Sequence, residues 1–182
     1  MRHFAFLCLL AVIAALPQSQ AAPVPKRTNA KPAVIDAGTE KNIAGVLENV
    51  VWGARVGVRE NDKVANMDIV RRQKDWEAWL KKNLRVERVK GKNLVCVSFQ
   101  DGNGKEQAAI INVVVDYYLK NDVGSSREHL SKGLKSLKDR VESQRRRGKL
   151  SPEEAAEAEK AIKKHEEYIQ TLPVLVEHAK VP

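Results

Sequence analysis

The sequence predicts an α+β fold: a small, mainly antiparallel sheet with packed helices and a protruding antiparallel helical hairpin. Three observations carry this reading. Two strand-like runs flank a Gly-containing turn at residues 84–99, a capping signal opens a long apolar helix just after them, and two later helical stretches carry matching apolar seams. With 182 residues and 43% apolar side chains the chain can bury one modest core, so disorder is excluded.

The first 21 residues are a separate matter. Met1-Arg2-His3 is a short basic start, Phe4 to Leu16 is unbroken apolar sequence, and Pro17 and Ser19-Gln20-Ala21 supply a cleavage-type ending. An apolar run this short falls below the ~20 residues a membrane helix needs, so we read residues 1–21 as a secretory signal and expect an exported protein without a stable membrane span. Cleavage would leave a formal charge of about +8, down from +9. It would also leave Cys96 as the one cysteine. A single thiol cannot form an internal disulfide, and its setting in Leu94-Val95-Cys96-Val97 predicts a small buried hydrophobe.

Residues 22–39 contain Pro23, Pro25 and Pro32 with scattered Ala and Lys and no periodicity, which predicts a flexible linker. The domain is expected over residues 40–182. Val50, Trp52, Ala54, Val56 and Val58 alternate with other residues and predict a strand with one wet face. Asn66 to Lys82 reads as one helix, with Ile69, Trp76, Trp79 and Leu80 near helical spacing and Asp75 as an internal cap. The tryptophans read as core, with stacking of a sugar or base the sharper alternative.

Leu84 to Val89 alternates and predicts a half-exposed strand. Leu94 to Phe99 is apolar on both faces and belongs at the centre of the sheet, joined to its neighbour through Lys90-Gly91-Lys92-Asn93. At Asn103 a helix begins, because Glu106 stands three residues on and completes a capping box. A phosphate loop is excluded there. Glu106 follows Gly104-Lys105 where Ser or Thr is required, and no Gly lies five residues before Gly104.

Leu130, Leu134, Leu137 and Val141 form one narrow helical seam. Gly148 stops that helix, and Ser151-Pro152-Glu153-Glu154 starts another, whose seam is Ala155, Ala158, Ile162, His165, Ile169 and Leu172. Together they predict the helical hairpin, within about residues 104–172. Residues 126–149 carry nine basic and three acidic side chains, against three basic and six acidic in residues 151–170, so the arms are complementary in charge. Arg145, Arg146, Arg147 and Lys149 gather at the tip. Their bland reading is a solvated turn and their sharper one a contact for an anionic polymer. Pro173 ends the helix, and Val174 to His178 predicts a last strand returning to the sheet.

Catalytic chemistry is thin. His129, His165 and His178 lie far apart without Cys or carboxylate at ligand spacing, His165 reads as a packing residue, and no nucleophile elbow, paired acid or Cys/His signature occurs. We expect neither an enzyme nor a cofactor or metal.

Trp79-Leu80-Lys81-Lys82-Asn83-Leu84-Arg85-Val86, the hairpin, and then Ala108-Ala109-Ile110-Ile111-Asn112-Val113-Val114-Val115-Asp116-Tyr117-Tyr118 resemble the periplasmic domain of polysaccharide chain-length determinants, the polysaccharide co-polymerases. In that family a strand and small-residue turn lead into a helix that carries Ala-Ala, then Asn, then Tyr, and Ala108, Ala109, Asn112 and Tyr118 follow that order. The closing Ala179-Lys180-Val181-Pro182 is similar to the segment preceding the family's second membrane helix. The resemblance covers roughly residues 46–182. It implies an α+β base bearing a helical arm, assembly into rings, and non-enzymatic control of the length of an exported polysaccharide. Ala108 and Ala109 would then permit close approach of helix to sheet, and Asn112 would satisfy a neighbouring backbone group. A protein partner or self-association is therefore expected. The rival expectation is salt-sensitive binding of an anionic polymer through Arg71 to Lys92 and Arg145 to Lys149, an acidic polysaccharide before a nucleic acid.

Overall fold

The computed structural model describes residues 29–181. The expected leader at 1–21 and the first part of the expected linker lie outside them. The fold is α+β, with four antiparallel strands in the order β2-β3-β1-β4 and helices on one face.

That sheet has a centre the sequence reading missed. β1, Ala33–Asp36, falls within the stretch read as linker, yet it lies between β3 and β4 with Ala33 and Ile35 fully buried. Pro32 sits just before the strand, where its missing N–H removes no ladder bond inside β1. Four residues are too few to show a period against a Pro- and Lys-rich background. β2 (Leu84–Arg88) and β3 (Leu94–Phe99) form the expected hairpin, with Leu84 opposite Phe99 and Val86 opposite Val97. Gly91 takes a φ of 72° in its turn, a left-handed conformation that glycine adopts without strain. β4 (Val174–Glu177) returns along β1 with a register shift between Val34 and Ile35.

Among the described residues only one face of the sheet is covered. Val95, Val97 and Phe99 point inward and are buried, while Leu94, Cys96 and Ser98 alternate onto the open face and are half-buried. β3 lies between β2 and β1, inside the sheet as expected, but Cys96 is on its open face, so the expectation of a buried cysteine is corrected. Cys96 stands opposite Val34 and Glu87, and partial burial, then the Glu87 charge, push its thiol pKa up.

The covered face is packed by α1 (Glu40–Glu60) and α5 (Gly104–Tyr117). The strand expected from Val50 to Val58 is therefore the middle of a 21-residue helix. Val46, Val50, Ala54 and Val58 recur every fourth residue and are all buried, whereas Trp52 of the alternating set is exposed. The period of four outweighs the coincidental period of two, because only it gives one continuous buried stripe. Gly53 and Gly57 extend the stripe and make room for Tyr117 of α5; a Cβ on Gly57 would lie 2.7 Å from the Tyr117 Cβ.

The helix expected from Asn66 to Lys82 is two pieces, α3 (Asp68–Arg71) and α4 (Trp76–Asn83), and a further short helix, α2 (Asp62–Ala65), precedes them. Two N-caps divide the region: Asn61 accepts from the Val64 N–H at 3.2 Å and Asp75 from the Ala78 N–H at 3.0 Å. Trp79 packs edge-on to Phe99 with ring centres 5.1 Å apart, and its Nε1 donates to Asp101 at 2.7 Å, fastening α4 to the end of β3.

Both capping boxes are present. Asn103 and Glu106 start α5, and Ser151 and Glu154 start α7 (Pro152–Gln170), with Pro152 at its first turn. Between α5 and α6 (Gly124–Arg146) the chain stays helical but widens into a π-turn, Tyr118–Val123. α6 and α7 form the predicted antiparallel hairpin. Val141 is its one buried residue, with Leu134, Leu137, Ile162 and Ile169 half-buried along the seam. His165 is a correction: it is exposed and bonds the Ala161 carbonyl, while its neighbour Glu166 turns inward to Lys138 at 2.6 Å.

Candidate functional site

Helix α1 leaves Val51 and Trp52 uncovered, at 38% and 59% exposure, beside a groove of about 530 Å³ between α1 and α4. Ala54, Leu80 and Leu84 form its apolar floor, and the Arg55–Glu77 ion pair at 3.6 Å crosses it. Asp75, which caps α4, and Lys81 stand on its edge. An apolar floor, an exposed indole and a charged rim are the composition of a protein-contact surface, where aromatic anchors carry much of the binding energy. Trp52 went unnoticed as a surface residue in the sequence because it was placed on a strand. Its helical signal was available: it stands clear of the buried four-residue stripe of α1 and is the most exposed of the large apolar residues of that helix.

Ala108 is buried and Ala109 half-buried on α5, where their small side chains keep the helix close to the rest of the core. Asn112 makes a reciprocal pair with the backbone of Ala179, donating from Nδ2 to the carbonyl at 3.1 Å and accepting from the N–H at 2.7 Å. The C-terminal segment is thereby tied to α5. His178 Nδ1 stands 3.3 Å from the same Asn112 oxygen, and its Nε2 stands 3.8 Å from Asp116.

Tyr118 is buried at the first position of the π-turn, and Asp122 follows one turn later. Burial first, and the Asp122 charge second, push the Tyr118 phenol up to about 12. Desolvation also raises the Asp122 carboxyl, whose Oδ2 is sealed from solvent without a hydrogen-bond partner among the described residues. No periodicity announces a π-turn, so its consequence for Asp122 was not legible.

At the hairpin tip two of the three arginines are already paired, Arg145 with Glu159 at 2.6 Å and Arg146 with Glu142 at 2.9 Å. Arg147 and Lys149 are exposed beside them. The 23 residues of α6 span about 34 Å at about 1.5 Å per residue, and this helix packs chiefly on α7 and the π-turn. The tip is therefore held far from the basic residues of α3, α4 and β2, and the two basic regions do not make one surface.

Among the described residues no group of three or more His, Cys, Asp and Glu is placed to hold a metal ion, and no helix is long and apolar enough to cross a membrane. No protein-family model matches this chain, and comparison with curated proteins and with solved structures gave no match.

Proposed function

We propose that the chain is a non-enzymatic module, exported behind a leader at residues 1–21, that works through protein–protein contacts, self-association foremost. The observation that carries this reading is the Trp52 surface, where an indole more than half exposed adjoins an apolar groove on the rigid base. A second support is the resemblance to chain-length determinants carried by Ala108, Ala109, Asn112 and Tyr118. Control of the length of an exported polysaccharide, exerted by an assembly of such modules, is the role this resemblance suggests. Binding of an acidic polysaccharide is the weaker reading, because the tip and base charges are far apart and half of the tip's basic side chains are paired within the arm.

Size-exclusion chromatography with light scattering tests the proposal. The mass of the mature chain should rise with concentration, and Trp52→Glu should move that transition to about tenfold higher concentration or more, as loss of an aromatic anchor costs roughly 1.4 kcal/mol or above. A wild-type chain that stays monomeric over a wide concentration range overturns it.

A further inference from the structure

A second cavity, of about 250 Å³, lies where α1, the π-turn and the start of α6 meet the Leu172-Pro173 corner. Its polar lining is Asn42 and Asn49 from α1, Tyr118 and Asp122 from the π-turn, and Ser126 from α6, with Lys41 on its edge. Gly45 keeps it open on the α1 side, since no side chain is present there to fill it and a Cβ would meet nothing within 4 Å.

The lining leaves one carboxylate without a partner among the described residues. Asp122 lines the cavity with no hydrogen-bond partner among the described residues: its Oδ2 is sealed beneath the surface, which leaves Oδ1 as the oxygen open to an occupant, although a carboxylate so placed normally takes at least one hydrogen bond. Asn42 donates from Nδ2 to the Ala37 and Thr171 carbonyls, both at 2.9 Å, so the group it has left to offer is its acceptor oxygen. The Tyr118 hydroxyl and the Ser126 hydroxyl have no hydrogen-bond partner among the described residues, and each can accept as well as donate. The occupant that satisfies such a set brings several N–H donors and one positive charge, which offsets the cost of the desolvated carboxylate. π-turns inside α-helices recur at functional sites because the extra residue re-aims side chains. Here the extra residue places Tyr118 and Asp122 on one wall.

We infer that this cavity is a binding site for a primary ammonium group, with Asp122 as counter-ion and Tyr118, Asn42 and Ser126 as hydrogen-bonding partners. Its size, below that of a drug-sized pocket, suits one small ring or the end of one chain. An amino sugar and a lysine side chain of a second copy carry the same chemistry. The site is separate from the Trp52 groove and does not rest on the function proposed above.

The test is an NMR titration of the mature chain with methylammonium and glucosamine, with glucose as the neutral control and tetramethylammonium as a cation without N–H donors. Saturable shifts at the amides of Asn49, Asp122 and Ser126 are expected, with a dissociation constant on the order of 1–10 mM. Glucose should give none, tetramethylammonium should bind at least about tenfold more weakly, and Asp122→Asn and Tyr118→Phe should each weaken methylammonium by a similar factor. Glucosamine binding about tenfold tighter than methylammonium assigns the site to a small ligand. Methylammonium dissociating a self-associated form assigns it to a lysine of a second copy. The inference is overturned if no amine binds up to about 100 mM, if Asp122→Asn binds as the wild type does, or if binding appears only in Lys41→Gln, since Lys41 would then be the occupant.

Discussion

The side chain of Asn112 grips the backbone of Ala179 from both sides, giving a hydrogen bond to its carbonyl and taking one from its N–H across 67 residues of sequence. Ala179 is almost fully buried, so water cannot replace either bond without local opening. Asn112→Ala leaves a buried donor and a buried acceptor unpaired, at roughly 2–4 kcal/mol for the two. Asn112→Asp keeps the acceptor and loses the donor, so it should cost about half as much. Urea unfolding checks both values, and amide exchange at Ala179 should speed up before the rest of the sheet is affected.

Two glycines on one helix should respond to alanine with opposite signs. At Gly45 an added Cβ meets nothing within 4 Å, so Gly45→Ala should stabilise by up to about 1 kcal/mol through helix propensity. At Gly57 the same atom would come 2.7 Å from the Tyr117 Cβ and 3.3 Å from the Val113 carbonyl oxygen. Separating α1 from α5 to admit it should cost roughly 1–3 kcal/mol, which exceeds the propensity gain. Thermal unfolding of the two variants distinguishes a packed glycine from an open one.

These positions also show where the sequence could be read and where it could not. Caps are local chemistry, so Asn103 with Glu106 and Ser151 with Glu154 were legible as helix starts, and Gly91 as a turn. The Val50–Val58 region satisfied two periods at once. Only the partner surface on α5, invisible in a linear pattern, decides that Val50, Ala54 and Val58 face inward and Trp52 outward. β1 is fixed by its neighbours rather than by itself, because Val34 and Ile35 gain their ladder bonds from β3 and β4, distant in sequence. Asp122 belongs to the same class. Its unpaired oxygen arises from a π-turn whose residues, Tyr-Leu-Lys-Asn-Asp-Val, read as ordinary helix.

Tyr118 should leave a signature at high pH. Its folded-state pKa of about 12 exceeds the ordinary value of 10.0, so between those limits the unfolded chain gives up a proton that the folded chain retains. The unfolded state then binds fewer protons, and stability must fall as pH rises from about 10 to about 12, by roughly 2 kcal/mol in total. Denaturant unfolding at several alkaline pH values should show this decline in the wild type and a shallower one in Tyr118→Phe. An equal decline in both would assign the loss to other groups.

The arm should depend on its seam and hardly at all on its ion pairs. Lys138–Glu166 and Arg145–Glu159 are short, at 2.6 Å each, but all four side chains are about half exposed, where such pairs contribute about 0.2–1 kcal/mol and less in salt. Glu159→Gln and Lys138→Gln should therefore change stability by less than about 1 kcal/mol. Val141 is different, being the buried residue of a hairpin whose other helix, α7, buries none. Val141→Asp sets a charge into that contact without a partner, and the distal parts of α6 and α7 should separate. Because Val141 lies outside the cluster formed by the sheet, α1 and α5, the base should stay folded. Amide exchange is the measurement: protection should be lost through residues 134–165 and kept in β1 and β3, whereas loss in both regions would show that arm and base unfold as one unit.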